Sequence, residues 1–331
     1  MRVKHVTAVL GATALSAALT VGLAGPATSA VQPSSRKVVT PPAATFAVSS
    51  FNLLGSSHTP LGGKRAPGTT RIVWAKQLLD RHHVDVAGFQ EMQADQYLKF
   101  MQITAATDPV TKLPVTDPVT GLPVPTWGVY PGLSLRKLDS ENSIGWRLDK
   151  FDLVQATTFT IPYFDGNPRP MPLVLLRDKA SGMLFYVANV HNPADTSRYR
   201  HQQKWRTLAK QVEAALQNQL MPTGIPRLFT GDMNERATFF CSMVSTSKVK
   251  AARGGTYRHG VCDAQRPRAV DWVVGSQKAT FSNYYEDRSP LVAKTTDHPV
   301  ISTDVTLDST RFPAALGPEP LPFPTLASYR R

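Results

Sequence analysis

The chain has 331 residues, of which 42% are apolar and 18% charged, and 37 Lys and Arg against 24 Asp and Glu leave a net charge of +13. Beyond residue 30 no segment is long and apolar enough to span a bilayer as a helix, so no integral membrane segment is expected there. The basic excess favours an acidic partner, whether nucleic acid, anionic lipid or cell-wall polymer.

Arg2 and Lys4 precede an apolar run over residues 6–23 and the small residues Ala27, Thr28, Ser29 and Ala30, the pattern of a secretory signal peptide over 1–30. A secreted, extracellular protein is expected, and loss of Arg2 and Lys4 lowers +13 by two, to +11. Residues 31–43, rich in Pro, Ser and Lys, read as a flexible leader. Residues 44–308 read as one domain, and 309–331, with Pro313, Pro318, Pro320, Pro322 and Pro324, as a Pro-rich tail. The two cysteines, Cys241 and Cys262, suit a disulfide in an exported chain, and the protein is expected to be a monomer.

In chain order, residues 44–54 alternate as a strand, and 55–68 form a loop. A helix is predicted over 70–83, where Ile72, Val73, Ala75, Leu78 and Leu79 recur at helical spacing with Arg71, Lys76 and Asp80 outward. A buried strand over 84–91 ends on Glu91, and a second helix spans 94–103. Residues 107–115 and 116–124 are near-identical nonapeptides whose prolines forbid a helix, so 105–126 read as a duplicated surface hairpin or extended loop. Strands follow at 143–148, 154–161, 173–177 and 184–190, then a long helix at 196–220 and a strand at 226–230. A cysteine-bracketed loop leads to strands at 269–274, 279–285 and 300–305. Strands joined by short turns favour antiparallel pairing, and an α+β layered sandwich fits best.

Polar residues accumulate at strand ends, where sites are built: Asn52, Glu91, His191 with Asn192, Asp232 with Asn234, Asp271, and Asp297 with His298. Carboxylates and amides of this kind hold a hard cation and contact phosphate oxygens, and paired histidines move protons. Glu91, at the mouth of a buried strand, is the best direct ligand for Mg²⁺, with Mn²⁺ or Ca²⁺ as other possibilities.

The segments Phe51-Asn52-Leu53, Phe89-Gln90-Glu91, Asn189-Val190-His191, Gly231-Asp232-Met233-Asn234, Ala269-Val270-Asp271-Trp272 and Thr296-Asp297-His298-Pro299 occur in the order of the endonuclease/exonuclease/phosphatase superfamily, which the chain resembles over residues 45–306. The resemblance implies a four-layer α/β/β/α sandwich with two mostly antiparallel sheets face to face. It also implies a divalent-metal site with Glu91, Asn52 and Asp297, and catalytic roles for His191, Asp232, Asn234, Asp271 and His298. Asp271 would orient His298, and Asn192, Arg147 and Asn142 would contact the substrate phosphate. Glu141 stands out of register with the Glu that the deoxyribonuclease I pattern pairs with its histidine.

Basic residues fall in three groups near these motifs: Lys64, Arg65 and Arg71; Arg198, Arg200, Lys204 and Arg206; and Lys248, Lys250, Arg253 and Arg258. With Tyr199, Trp205 and Tyr257 they suit a nucleic-acid track. The expectation is therefore a secreted divalent-metal-dependent nuclease. The alternatives are a sphingomyelinase-like phospholipid phosphodiesterase, for which residues 161–164, Phe312 and Phe323 are the weak docking candidates, and a phosphomonoesterase.

Overall fold

The computed structural model describes residues 42–59, 62–134, 141–319, 323 and 326–329. The expected signal peptide, most of the leader and part of the tail lie outside the described residues. The chain runs β1 (Ala43–Asn52), α1 (Gly68–Arg81), β2 (Val86–Gln90), α2 (Ala94–Ile103), β3 (Trp127–Tyr130), β4 (Asn142–Arg147), β5 (Phe151–Pro162), β6 (Pro168–Asp178) and β7 (Leu184–His191). It continues through α3 (Gln203–Leu220), β8 (Arg227–Asp232), α4 (Ala237–Thr246), β9 (Val249–Ala251), β10 (Thr256–Arg258), β11 (Val261–Asp263), β12 (Asp271–Ser276), β13 (Thr280–Asp287), α5 (Pro290–Thr295) and β14 (Val300–Asp308).

Two six-stranded sheets form, in the orders β13-β14-β1-β2-β4-β3 and β5-β6-β7-β8-β12-β9. Each is antiparallel except for one internal pair, β1 with β2 and β7 with β8. Those parallel pairs matter, because they bring the C-terminal ends of four strands to one edge. Three buried clusters account for the layering. Phe46, Val48, Ile144, Phe185, Val187 and Val305 belong to the cluster between the sheets. Phe51, Leu78, Phe89 and Phe100 pack α1 and α2 on the first sheet, and Leu175, Leu216, Phe229 and Phe240 pack α3 and α4 on the second. The expected α/β/β/α sandwich is the fold, and each fully buried phenylalanine stabilises it by roughly 1.5–3 kcal/mol.

Side chains alternate across a strand, so every second residue faces the other sheet. Along these inward rows the chemistry changes from apolar to polar toward the same edge. β1 runs Val48, Ser50, Asn52; β2 runs Val86, Gly88, Gln90; β7 runs Val187, Asn189, His191; and β8 runs Leu228, Thr230, Asp232. A polar layer joins the sheets just beneath that edge. Asn189 Nδ2 donates to the carbonyls of Phe89 at 2.8 Å and Ser143 at 3.1 Å, while its Oδ1 accepts from Gln90 Nε2 at 2.6 Å and Thr230 Oγ1 at 3.1 Å. Gly88 makes room for it, since a Cβ there would lie 1.9 Å from Thr230 Oγ1 and 2.4 Å from Asn189 Oδ1.

Several elements depart from the sequence expectation. The helix expected from residue 196 begins at Gln203. Thr196 Oγ1 and Asp195 Oδ1 accept from the backbone of Tyr199 and Gln202, and His201 has φ 60°, which holds 195–202 as a loop. β6 starts at Pro168 rather than 173, yet it pairs with β7 only from Leu173 onward, as expected where Pro168, Pro170 and Pro172 cannot donate. The expected cysteine-bracketed loop contains α4, β9 and the β10–β11 hairpin. Cys241 on α4 and Cys262 on β11 are bonded, with Cα atoms 5.7 Å apart, and closing a loop of this separation contributes roughly 3 kcal/mol. The duplicated loop forms two successive hairpin turns, in which Asp108 and Asp117 accept from the backbone two and three residues on. Lys112 and Gly121, where the repeats differ, both have positive φ, at 60° and 69°.

Candidate active site

Asn52 closes β1 and lies between two carboxylates. Its Nδ2 donates to Glu91 Oε1 at 3.0 Å and to Asp232 Oδ2 at 3.1 Å, and its Oδ1 accepts from Leu54 N at 3.0 Å, which fixes the amide's orientation. Asn52, expected to complete the metal environment directly or through waters, here holds Glu91 and Asp232 through its amide nitrogen. Glu91 leaves β2 at φ 60°, a strained value for a non-glycine residue, and Gly55 N donates to its other oxygen at 3.0 Å. Burial would raise its carboxyl, but His191, these hydrogen bonds and His58, at 3.5 Å, hold it below the usual range. Glu91 and Asp297 line one open groove of about 410 Å³ with His58, Lys64 and Arg65. Two carboxylates in one groove, neither ion-paired to a Lys or Arg among the described residues, suit a hard divalent cation. Asp232, Asp271 and His298 are also close enough to share an ion, but the Asp271–His298 hydrogen bond suits proton handling better.

Asp232 is buried, with His191 Nε2 at 3.5 Å and His298 Nε2 at 3.6 Å from its Oδ2. His298 Nδ1 sits 3.0 Å from both oxygens of Asp271. Burial alone would lower the His298 imidazole, but Asp271, with smaller help from Asp232 and Asp297, raises it to about 10. Burial raises both Asp232 and Asp271, against the pull of the neighbouring histidines on Asp232 and of His298 on Asp271. Burial lowers His191, against the pull of Asp232 and Glu91. The two histidines are thus shifted in opposite directions, the arrangement that separates an acid from a base. Thr296 Oγ1 donates to Asn52 O at 2.8 Å and accepts from His298 N at 3.2 Å, tying the Asp297–His298 turn to β1.

Asn234, at φ 49°, donates from Nδ2 to Asn192 O at 2.8 Å, and its backbone N donates to Asp232 Oδ1 at 2.9 Å. Asn192 N donates to Asp232 O at 2.9 Å, and its buried Oδ1 has no hydrogen-bond partner among the described residues. Asn142 pairs with Gln90 across the sheet on the inner face, and both atoms of its amide are buried without a partner among the described residues, a gap that a substrate oxygen or water would fill. Arg147 does not join them. It closes the opposite end of β4, five residues or roughly 17 Å from Asn142, and its guanidinium forks onto Asp149 with both contacts at 3.0 Å.

The basic groups also divide. Arg71 is fully buried rather than outward, and donates to Leu53 O at 2.6 Å and Thr295 O at 2.9 Å, so it clamps the loops that carry Asn52 and Asp297. Arg65 donates to Ala293 O and Thr296 O, and Arg206 to Pro193 O and Asp195. Arg71 and Arg206 hold the site's loops rather than line its mouth, whereas Arg65 both ties the Asp297 turn and lines the groove with Glu91.

Sequence reasoning missed the surroundings of His191. Its Nδ1 lies 3.5 Å from the hydroxyl of Tyr163, and Arg169 stacks 4.4 Å over the Tyr163 ring while ion-pairing with Glu141. These residues line a groove of about 450 Å³ with Phe164 and Tyr199, whose rings stack at 4.3 Å and 7°. Glu141 thus serves Arg169 and not His191. No local motif marks this group, because it is assembled from three separated segments.

Glu213, on the inner side of α3, was also missed. Its carboxyl is buried and pushed up to about 8 by burial, against Asn192 and Lys210, with Glu235 adding to the rise. A raised carboxyl pKa means the folded state keeps a proton that the unfolded chain releases, so stability falls as pH rises from about 4.5 to about 8. Glu213→Gln should therefore raise the thermal midpoint at pH 8.5, by an amount on the order of a few kcal/mol in stability, and change it little at pH 4.5. Melting curves for the two proteins that stay equally spaced across that range would refute the assignment.

Residues 49–298 match the Endonuclease/Exonuclease/phosphatase family. No curated protein matches the chain in sequence. Among solved structures, an endonuclease/exonuclease/phosphatase family protein from Bacteroides thetaiotaomicron is 16% identical with a TM-score of 0.57, over 80% of this chain and 99% of that one. The human nocturnin catalytic domain with bound sulfate is 16% identical with a TM-score of 0.56, over 81% and 95%. D. rerio TDP2 complexed with a single-strand DNA product is 16% identical with a TM-score of 0.52, over 79% and 99%. At these identities the likeness is one of fold.

Proposed function

The chain belongs to the endonuclease/exonuclease/phosphatase family, whose members hydrolyse phosphoesters, and from that premise we propose that it is a divalent-metal-dependent phosphodiesterase that cleaves nucleic acid. The observation that carries this reading is the Asp271–His298 pair facing Asp232, which Asn52 links to Glu91. Glu91 and Asp297 would hold Mg²⁺, or Mn²⁺ or Ca²⁺ in its place. The ion would supply charge stabilisation at the scissile phosphate. Asp232 orients the attacking water. His191 and His298 serve as the pair that takes one proton and gives another, with Asp271 holding the His298 ring and its charge. Asn142, whose Nδ2 has no partner among the described residues, would donate to a phosphate oxygen, with Asn234 and Asn192 alongside Asp232.

Nucleic acid is favoured over other phosphodiesters by the groove beside His191. A half-exposed Phe164–Tyr199 stack offers a face for a base, and Arg198, 5.2 Å from the Tyr199 ring, carries charge for the backbone. Tyr199→Ala should raise KM for single-stranded DNA or RNA by about tenfold and leave kcat nearly unchanged, given the usual strength of base stacking. An unchanged KM would remove this groove from the substrate path. The leader-like residues 1–30 and the Cys241–Cys262 bond support action outside the cytosol, which N-terminal sequencing of exported protein checks through a start at Val31.

A specific observation favours the lipid reading as second. The docking candidates at Ile161, Tyr163 and Phe312 are buried, but the duplicated loop exposes Val110 at 85% and Val119 at 91%, with Leu113 and Leu122 beside them. Paired apolar tips suit shallow insertion into a bilayer. If lipid is the substrate, Val119→Asp lowers hydrolysis of sphingomyelin in vesicles and leaves that of nucleic acid unchanged; no hydrolysis of sphingomyelin by the wild type eliminates this reading.

A further inference from the structure

At the end of the second sheet opposite the site lies a cleft of about 360 Å³, lined by Met221, Ile225, Arg227, Lys248, Lys278, Arg311, Phe312 and Pro313 among others. Arg227 opens β8 and Asp232 closes it, so roughly 17 Å of strand separates this cleft from the catalytic edge. Arg227 is only 4% exposed. Its Nη1 donates to Gln217 O and its Nε lies 3.4 Å from Ser276 Oγ, but its Nη2 makes no hydrogen bond to a described residue. No carboxylate among the described residues pairs with it, and none of the cleft's lining residues is acidic.

A buried guanidinium without a counter-charge is costly, and proteins ordinarily keep one only with a carboxylate or an anionic ligand. Burial accordingly lowers this group, to about 10. The neighbours deepen the imbalance. Lys248 and Lys278 are exposed at the rim, and Lys250 is depressed by burial and, to a smaller extent, by Arg311. Arg311 alone has partial relief, from Thr280 Oγ1 at 3.0 Å and from the Asp308 carboxylate. Ile225, Phe312 and Pro313 supply apolar lining to the same cleft. Lys248, which the sequence groups with the catalytic mouth, thus lines a different place.

We propose that this cleft is a second ligand site, separate from the catalytic one, that binds a small amphiphilic anion with its oxyanion on Arg227, Lys248 and Lys278 and its apolar body against Ile225, Phe312 and Pro313. The oxyanion is a phosphate or a carboxylate, and the proposal does not depend on the catalytic reading.

Isothermal titration of the full chain with phenylphosphonate, benzoate and inorganic phosphate tests it. Phenylphosphonate or benzoate should bind with one-to-one stoichiometry, the tighter of the two identifying the head group, and inorganic phosphate, which lacks the apolar body, more weakly than phenylphosphonate. The exposed double variant Lys248→Glu/Lys278→Glu, which leaves the core untouched, should weaken binding by about tenfold or more, as reversal of two charge-assisted contacts implies. Arg227→Met should do the same if it folds. Absence of saturable binding by either aryl anion, or binding that survives the double charge reversal, overturns the proposal.

Discussion

His298→Ala is expected to lower kcat for phosphodiester cleavage by about 10²–10⁴-fold, the range a positioned proton carrier contributes. The imidazole sits 3.6 Å from Asp232 Oδ2 and 3.0 Å from both Asp271 oxygens, and no other described side chain takes that place. Asp271→Asn should fall within the same range, because it removes the charge that keeps the ring protonated and leaves the shape intact. The double variant should be no worse than the single ones, since residues that act as a unit are not additive. A folded His298→Ala protein, shown by its melting curve, that retains activity within tenfold of wild type would contradict the assignment.

Glu91→Gln should be nearly as damaging through a different route. Glu91 is the carboxylate that Asn52, Gly55 and the groove with Asp297 present to solvent, so neutralising it removes half of the anionic charge available to a cation there. The metal concentration for half-maximal activity should rise by about tenfold or more, and kcat at saturating metal should fall by about 10²-fold. Mn²⁺ binding followed by paramagnetic relaxation gives a readout that does not depend on turnover, and it should weaken in parallel. Unchanged Mn²⁺ affinity in the variant would move the ion elsewhere, with Asp232, Asp271 and His298 the next grouping to test.

Most of the site was legible in the sequence because it lies at the ends of strands. Asn52, His191 and Asp232 continue inward rows that begin with Val48, Val187 and Leu228, and a period of two carries that information locally. Arg147 failed for the same reason it was attractive: it sits on a site strand, but β4 runs antiparallel to β2 and delivers Asn142 to the edge instead. Arg71 shows a second limit. Its helical position reads as outward, yet the loops after Asn52 and before Asp297 fold over it and take its hydrogen bonds. Tyr199 was singled out for stacking, but its grouping with Tyr163 and Arg169 could not be found by spacing, since the groove they form exists only once β5, β6 and the loop before α3 are packed together. The start of α3 was misplaced because Asp195 and Thr196 compete for backbone donors that a helix would otherwise use.

The central claim is that these strand ends form one metal-dependent phosphodiesterase site. Purified protein incubated with single-stranded DNA, RNA and an aryl phosphomonoester, with Mg²⁺ and again with EDTA, tests it most directly. The expected result is cleavage of at least one nucleic acid with Mg²⁺, abolished by EDTA and restored by added Mg²⁺, with little hydrolysis of the monoester. Cleavage that persists in EDTA, or hydrolysis confined to the monoester, would contradict it.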